Sequence, residues 1–234
     1  GEGVQGEKMK KRKFNLALAA GITVAAMCLM SPDMERISPF QSRWFHASSV
    51  TIMANAAETA EGTCGTELTW KLSDGILTIT GTGSMTNWTS YSVAPWDSYK
   101  DSIMSVVIDS GVTSVGSYAF NNCSALETIS LPEGLTSIGN NAFQDCSSLA
   151  TVKLPESLET IGNYAFRYCT SLEEVRIPSG VTSVSGSAPF SGCTALTKVT
   201  FGSGTTKVPG NICRGMEALT TVEYEEANEI TGIG

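Results

Sequence analysis

The chain has 234 residues, of which 41% are hydrophobic and 16% charged, with a formal net charge of −8 at pH 7. That balance is globular and argues against both a disordered chain and a multispanning membrane protein. Residues 1–56 carry seven Lys/Arg against four Asp/Glu, leaving eight against nineteen for residues 57–234. This acidic body has no Lys/Arg cluster, which argues against nucleic acid as a partner.

In chain order, residues 1–8 read as untranslated or tag-like. Gly1 is not an initiator residue, and Gly6-Glu7-Lys8 has the coding pattern of a ribosome-binding sequence read through, so Met9 is the expected start. Residues 9–56 read as a signal peptide or secretion segment. Met9-Lys10-Lys11-Arg12-Lys13 precedes the run Phe14–Met30, which is broken only by Asn15, Gly21 and Thr23. These are the basic and apolar regions of a secretory signal. The run is also at the lower length limit for spanning a bilayer, so a retained anchor is the alternative, and an uncleaved segment of this kind is the only membrane contact expected. Ala54-Asn55-Ala56 has the small-x-small pattern of a cleavage site, although it lies farther from the apolar run than usual. Met27 before Cys28 makes a poor lipoprotein site.

Residues 57–102 read as an N-terminal β cap. Leu68–Leu72 and Ile76–Thr80 alternate apolar and polar residues around the turn Ser73-Asp74-Gly75, which predicts a β-hairpin. Trp70 and Trp96 are candidates to cover the first unit beyond it.

From residue 103 to 234 the chain repeats itself. Val112–Gly134, Leu135–Ser157 and Leu158–Gly180 are three ungapped copies of 23 residues. Val181–Gly204 is a fourth, one residue longer around Gly186-Ser187. A fifth, Thr205–Glu229, places Cys213 where Phe stood and Met216 where Cys stood, and Ile230–Gly234 begins a sixth. A fixed period of this length predicts a stack of units, none of which can bury its apolar face alone. The triplets Ile103/Val106/Ile108, Leu126/Ile129/Leu131, Leu149/Val152/Leu154, Leu172/Val175/Ile177, Leu196/Val199/Phe201 and Leu219/Val222/Tyr224 mark one short strand per copy, ended in three copies by Pro132, Pro155 and Pro178. The Ile/Val-Gly segment predicts a second short extended stretch, followed by a helical or 3₁₀ turn.

The frame I-G-x-x-A-F-x-x-C-x-x-L-x-x-V-x-[LI]-P, repeated three times without a gap, resembles the leucine-rich repeats of bacterial surface proteins called BspA-like. Cys64–Asp109 is similar to that family's N-terminal cap. The resemblance implies a leucine-rich-repeat solenoid, with stacked strand rungs, short helical or 3₁₀ turns and a β-hairpin cap. It also implies an adhesion-type role.

No reactive centre is expected. The single histidine, His46, lies in the signal-type segment, which leaves no Ser-His or Cys-His pair and no imidazole ligand in the body. Cys123, Cys146, Cys169 and Cys193 share one repeat position and are read as unpaired core thiols rather than a disulfide ladder or a metal site. Cys64 and Cys213 have no evident partners. Phe120, Phe143, Phe166 and Phe190 are read as a buried spine rather than a sugar-binding groove. Glu173-Glu174 and Glu225-Glu226 read as solvated surface, and Gly81-x-Gly83 lacks the Lys-Ser/Thr of a phosphate loop. No cofactor is expected.

Specificity is then carried by the strand positions that point away from the core. They form two files, Thr128, Thr151, Glu174, Lys198, Thr221 and Ser130, Lys153, Arg176, Thr200, Glu223. The candidate ligand-binding residues are Thr128, Ser130, Thr151, Lys153, Glu174, Arg176, Lys198 and Thr200, with Lys153 and Arg176 as neighbours in a mixed-charge patch. The expected function is a secreted or cell-surface bacterial binding or adhesion protein that recognises an extracellular protein or glycan. The alternatives are a non-catalytic front module of a longer secreted enzyme or wall-anchored protein, and a spacer.

Overall fold

The computed structural model describes residues 59–184 and 188–226. The signal-type segment, its cleavage pattern, His46, the Gly186-Ser187 insertion and the start of the sixth copy lie outside the described residues. Among the described residues no helix is long and apolar enough to cross a membrane.

The cap begins with β1 (Ala60–Thr63), antiparallel to β2 (Leu68–Ser73), which is antiparallel in turn to β3 (Ile76–Gly81). The hairpin is the one expected, and its turn places Asp74 and Gly75 at φ 53° and 75°, a left-handed pair that suits a two-residue connection. β1 was not expected from the sequence. After β4 (Gly83–Ser84) and a 3₁₀ turn at Asp97–Tyr99, β3 continues by parallel pairing into β5 (Ser105–Ile108), so one sheet runs from cap into repeats.

Most repeats then supply two short strands. The longer ones are β5, β7 (Thr128–Ser130), β10 (Glu174–Ile177), β12 (Lys198–Phe201) and β13 (Thr221–Tyr224), and they form the strand face. The shorter ones are β6 (Val112–Val115), β8 (Ser137–Ile138), β9 (Thr160–Ile161) and β11 (Ser183–Val184), which with β4 build a second parallel sheet in the order β11-β9-β8-β6-β4. The six strand triplets define rungs 1 to 6 in chain order. The expected helical segment of each copy is a run of single turns, such as Cys123 N–H to the Phe120 carbonyl and Leu126 N–H to the Cys123 carbonyl. Pro132, Pro155 and Pro178 each open a turn whose carbonyl accepts the N–H of the residue three places on, which stops the strand and starts the next copy.

The core is a set of columns along the stack. Phe120, Phe143, Phe166 and Phe190 are all 0% exposed, and their rings stack at 5.1–5.2 Å with interplanar angles of 5–14°. Trp96 extends this column into the cap, stacked 5.5 Å from Phe120, with its indole N–H donating to the Ala119 carbonyl. Trp70 and Trp88 meet Trp96 edge-on, so the expected Trp70–Trp96 cover is joined by a third tryptophan.

Two further columns carry no hydrophobic signal and were not expected. Gly139 and Gly162 sit where the backbones of consecutive rungs nearly touch: a Cβ on Gly162 would lie 2.4 Å from the carbonyl carbon of Gly139. Beside them, the side-chain oxygens of Asn87, Ser117 and Asn140 each accept the backbone N–H of the next copy, Ser117, Asn140 and Asn163 respectively. This polar ladder satisfies N–H groups just past the C-terminal ends of β6, β8 and β9.

Candidate functional site on the strand face

The thiol column is part of the core. The Cys146, Cys169 and Cys193 thiols donate to the carbonyls of Phe120, Phe143 and Phe166, at 3.1–3.2 Å. The six cysteines among the described residues are free. Burial pushes the Cys64 thiol up to about 11 and the Cys123 thiol up to about 12, and burial also raises Cys146 well above its ordinary value. Cys169 is raised by its hydrogen bond with Cys193 and then by burial. These four are protonated at neutral pH, whereas a nucleophile or metal ligand would be a thiolate. Among the described residues no group of three or more His, Cys, Asp or Glu is placed to hold a metal ion.

The candidate ligand residues lie on the strand face as the alternation predicts, and the register is strict where strands pair. Glu174 lies opposite Lys198 and Arg176 opposite Thr200, while Lys198 and Thr200 lie opposite Thr221 and Glu223. Thr128 lies opposite Ser105 and donates its hydroxyl to it at 3.0 Å.

Rung 3 is the exception. β7 pairs only with β5, and β10 pairs only with β12, so the sheet stops on both sides of Thr151–Leu154. Among the described residues no backbone hydrogen bond joins that segment to either neighbouring rung. Its side chains nonetheless keep their places: Val152 and Leu154 are buried, while Thr151 and Lys153 are exposed. The break opens a trough of about 540 Å³ lined by Thr151–Leu154, Glu174–Arg176, Thr200, Glu133, Glu156 and Glu225.

Charge supplies a physical reason for the break. Lys153 and Arg176 occupy successive places in one file, and like charges stacked at strand spacing repel. Each turns to carboxylates instead. Lys153 reaches back to Glu133 at 3.9 Å and is 89% exposed. The Arg176 guanidinium donates through Nη1 to Glu156 at 2.6 Å, and through Nε and Nη2 to the two oxygens of Glu225 at 2.6 and 2.7 Å. To reach Glu225 from rung 4 it crosses rung 5 at Gly202, where a Cβ would lie 2.9 Å from Nη2. Gly202 follows Phe201 as Pro132, Pro155 and Pro178 follow the last apolar residue of their rungs, so the copy that loses the proline is the one the arginine crosses. The hydrogen bond to Glu225 is the largest cause of Arg176's raised pKa, and the same bond lowers Glu225, helped by the Ser203 N–H. Lys198 is raised by Glu223, to which it donates at 2.8 Å.

The trough thus gathers five of the eight candidates, Thr151, Lys153, Glu174, Arg176 and Thr200. Thr128, Ser130 and Lys198 remain on the strand face outside it. The sequence reading missed Glu133 and Glu156, although both stand directly after the strand-ending proline in successive copies and that recurrence is visible in the sequence. Glu225 is exposed, as expected, but its engagement by Arg176 was not legible, because the two are 49 residues apart in the chain.

Residues 98–224 match the sequence profile of the BspA type leucine rich repeat region, in six copies. Among solved structures, a leucine-rich repeat protein from Eubacterium ventriosum ATCC 27560 is similar over 73% of this chain, at 25% identity and a TM-score of 0.61. The chain spans 45% of that protein's length. The leucine rich repeat protein of T. pallidum aligns over 74% of this chain and 83% of its own, at 23% identity and a TM-score of 0.49. A leucine rich cell surface protein from Faecalibacterium prausnitzii A2-165 aligns over 72% of this chain and 55% of its own, at 26% identity and a TM-score of 0.45. No curated protein matches the sequence.

Proposed function

The chain belongs to the BspA-type leucine-rich repeat family, and on that premise we propose that it is a secreted or surface-exposed bacterial binding protein whose strand face holds an extracellular protein or glycan. The observation that carries this reading is the trough at rung 3. It is a concave, polar interruption of an otherwise regular sheet, of a volume within the roughly 300–1,000 Å³ of ordinary ligand sites. Arg176, Glu156 and Glu225 hold one another in place there, which limits the entropy lost at those side chains when a partner docks. The basic and apolar segment before residue 31 supports export, and the acidic body is soluble and self-repelling outside the contact region.

The test is binding of the full chain to immobilised extracellular-matrix proteins and to a glycan array, compared with Lys153→Glu. Lys153 is exposed and loosely paired, so its reversal leaves the fold intact by circular dichroism, and binding falls at least tenfold. Arg176→Glu is a poorer probe because it also breaks the contacts to Glu156 and Glu225. Equal binding by wild type and Lys153→Glu removes the trough from the contact surface.

A further inference from the structure

The turn segments that join the two strands of each copy stack into a third side of the molecule, and on that side we propose a binding site for an uncharged glycan, centred on Arg167 and Tyr168. It uses none of the residues that line the trough and goes beyond the binding role of the strand face.

The first observation is where the sequence leaves its period. Each turn segment has left-handed backbone at two positions, two residues before and two residues after the phenylalanine. Asn141 and Asp145 fill them in one copy, and Gly192 fills the second in another, all residue types that adopt this region readily. Between those copies stand Tyr164 and Tyr168, at φ 54° and 60°, and among the described residues only this copy has an aromatic residue at both positions. A tyrosine is held in that region at a cost, and such strain gathers at working sites. The two rings bracket Arg167, whose guanidinium carbon lies 4.8 Å from the Tyr164 centroid and 4.4 Å from that of Tyr168. Its Nη2 donates to the Tyr168 hydroxyl at 2.8 Å. Gly192 on the next copy makes room for this arrangement, because a Cβ there would lie 2.3 Å from the Tyr168 ring. Tyr168 remains 40% exposed.

The second observation is a set of polar groups left without partners. Arg176 commits its donors to carboxylates, whereas Arg167 has no salt bridge among the described residues and its Nε is buried with no hydrogen-bond partner. The side-chain nitrogen of Asn121, in the same file two copies earlier, is likewise buried with none. Leaving such donors unmet is unfavourable. Both residues are only half-buried, so a small side-chain rotation brings these groups to the surface, where a ligand oxygen supplies the acceptor. Gln144 stands between them in the file, accepting from the Asn141 amide and donating to Asp145 at 2.8 Å. The main chain beneath is fixed by its own ladder, in which the Asn122 and Asp145 N–H groups donate to the Gln144 and Arg167 carbonyls, both at 2.8 Å.

The mixture of groups selects the ligand. Amides and the tyrosine hydroxyl both donate and accept, Arg167 only donates, and the Asp145 carboxylate only accepts. Sugar hydroxyls answer all of these, and the C–H face of a sugar ring packs on the exposed part of Tyr168. Copies recur every 5.1–5.2 Å at the phenylalanine column, so a linear oligosaccharide laid along the stack meets Arg167, Gln144 and Asn121 in turn. An anionic glycan meets Asp145 and the acidic body as repulsion. A peptide strand finds no open backbone, because the turn ladder is continuous through these copies.

The experiment is an array of neutral linear oligosaccharides of glucose, galactose, mannose and N-acetylglucosamine, beside sialylated and sulfated counterparts, probed with the full chain. The strongest neutral binder is then titrated by calorimetry against wild type, Lys153→Glu, Arg167→Gln and a triple variant. The triple variant carries Tyr164→Asn, Arg167→Gln and Tyr168→Asp, which are the residues of the preceding copy. Asn and Asp suit left-handed backbone, so it is expected to match or exceed the urea midpoint of wild type. Wild type is expected to bind the neutral sugar with affinity that changes less than about twofold between 50 and 200 mM salt. Binding is expected to fall about tenfold or more in the triple variant, and about fivefold in Arg167→Gln, which keeps both tyrosines. Wild type that binds no neutral glycan overturns the proposal, as does undiminished binding by either variant. Preference for the sialylated or sulfated forms overturns the choice of an uncharged ligand. Neutral-glycan binding that is lost in Lys153→Glu and kept in the triple variant belongs to the trough, which overturns this inference and leaves the proposed function standing.

Discussion

The aromatic spine and the strand face are built from the same repeat, yet they differ in how strictly they keep it. Along the spine four phenylalanines hold one spacing to within 0.1 Å, and the turns around them recur copy after copy. On the strand face the ladder stops for a whole rung and resumes beyond it. Rung 3 keeps its place without sheet hydrogen bonds because Leu149, Val152 and Leu154 remain buried and Phe143 stays in its column. Burying an apolar side chain stabilises a fold more than a backbone hydrogen bond does, since the net contribution of such a bond is only about 1 kcal/mol after competition with water. The lesson is a division of labour, in which the packed columns enforce the period and the strand face is free to break it.

The comparison breaks most severely at the spine. Phe143→Ala leaves a ring-sized void between two stacked rings, and the expected loss is about 3–5 kcal/mol in urea unfolding, with the trough region destabilised along with the rest of the stack. A smaller loss, about 1–3 kcal/mol from overpacking, is expected for Gly162→Ala, because the atoms its methyl group meets are backbone and do not swing aside. A Gly162→Ala chain as stable as wild type would mean that the close approach of rungs is not needed to set their spacing. The smallest effect belongs to the strand face. Glu225's carboxyl is held below its ordinary value in the folded chain, so its contribution is present above the unfolded-state value near 4.5 and is lost as pH falls through the lower folded-state value. Glu225→Gln should therefore flatten the acid limb of the urea midpoint plotted against pH, slightly, because the pair is exposed and screened. Gly202→Ala, by displacing the guanidinium, should reproduce that flattening, and an unchanged acid limb in both variants would show that the crossing arginine contributes nothing to stability.

Much of this molecule was legible in the sequence because stacking identical units leaves a mark at every unit. The Phe, Cys and Leu-x-x-Val-x-Leu positions recur, and recurrence identifies them as the groups each rung must present to the next. The hairpin was legible for a local reason, since alternation and an Asp-Gly turn need no distant partner. The glycine and asparagine columns were harder to read, because a backbone close approach and a side-chain cap on the next copy's N–H carry no hydrophobic period. Left-handed backbone at Asn122, Asp145 and Tyr168, with φ between 60° and 62°, shows a related limit: Asn and Asp adopt that region readily, whereas at Tyr168 the turn imposes it on a residue that does not signal it.

The candidate site divides along the same line. Alternation by itself determined which strand residues face outward, and so placed Thr151, Lys153, Glu174, Arg176 and Thr200 on one surface. Only the tertiary structure decided that Lys153 and Arg176 turn to different carboxylates, that Arg176 crosses Gly202 to Glu225 two rungs away, and that rung 3, which carries Lys153, leaves the ladder. Outward direction is a property of one strand's geometry, whereas the choice among several carboxylates depends on which rungs the stack brings within reach of a flexible side chain.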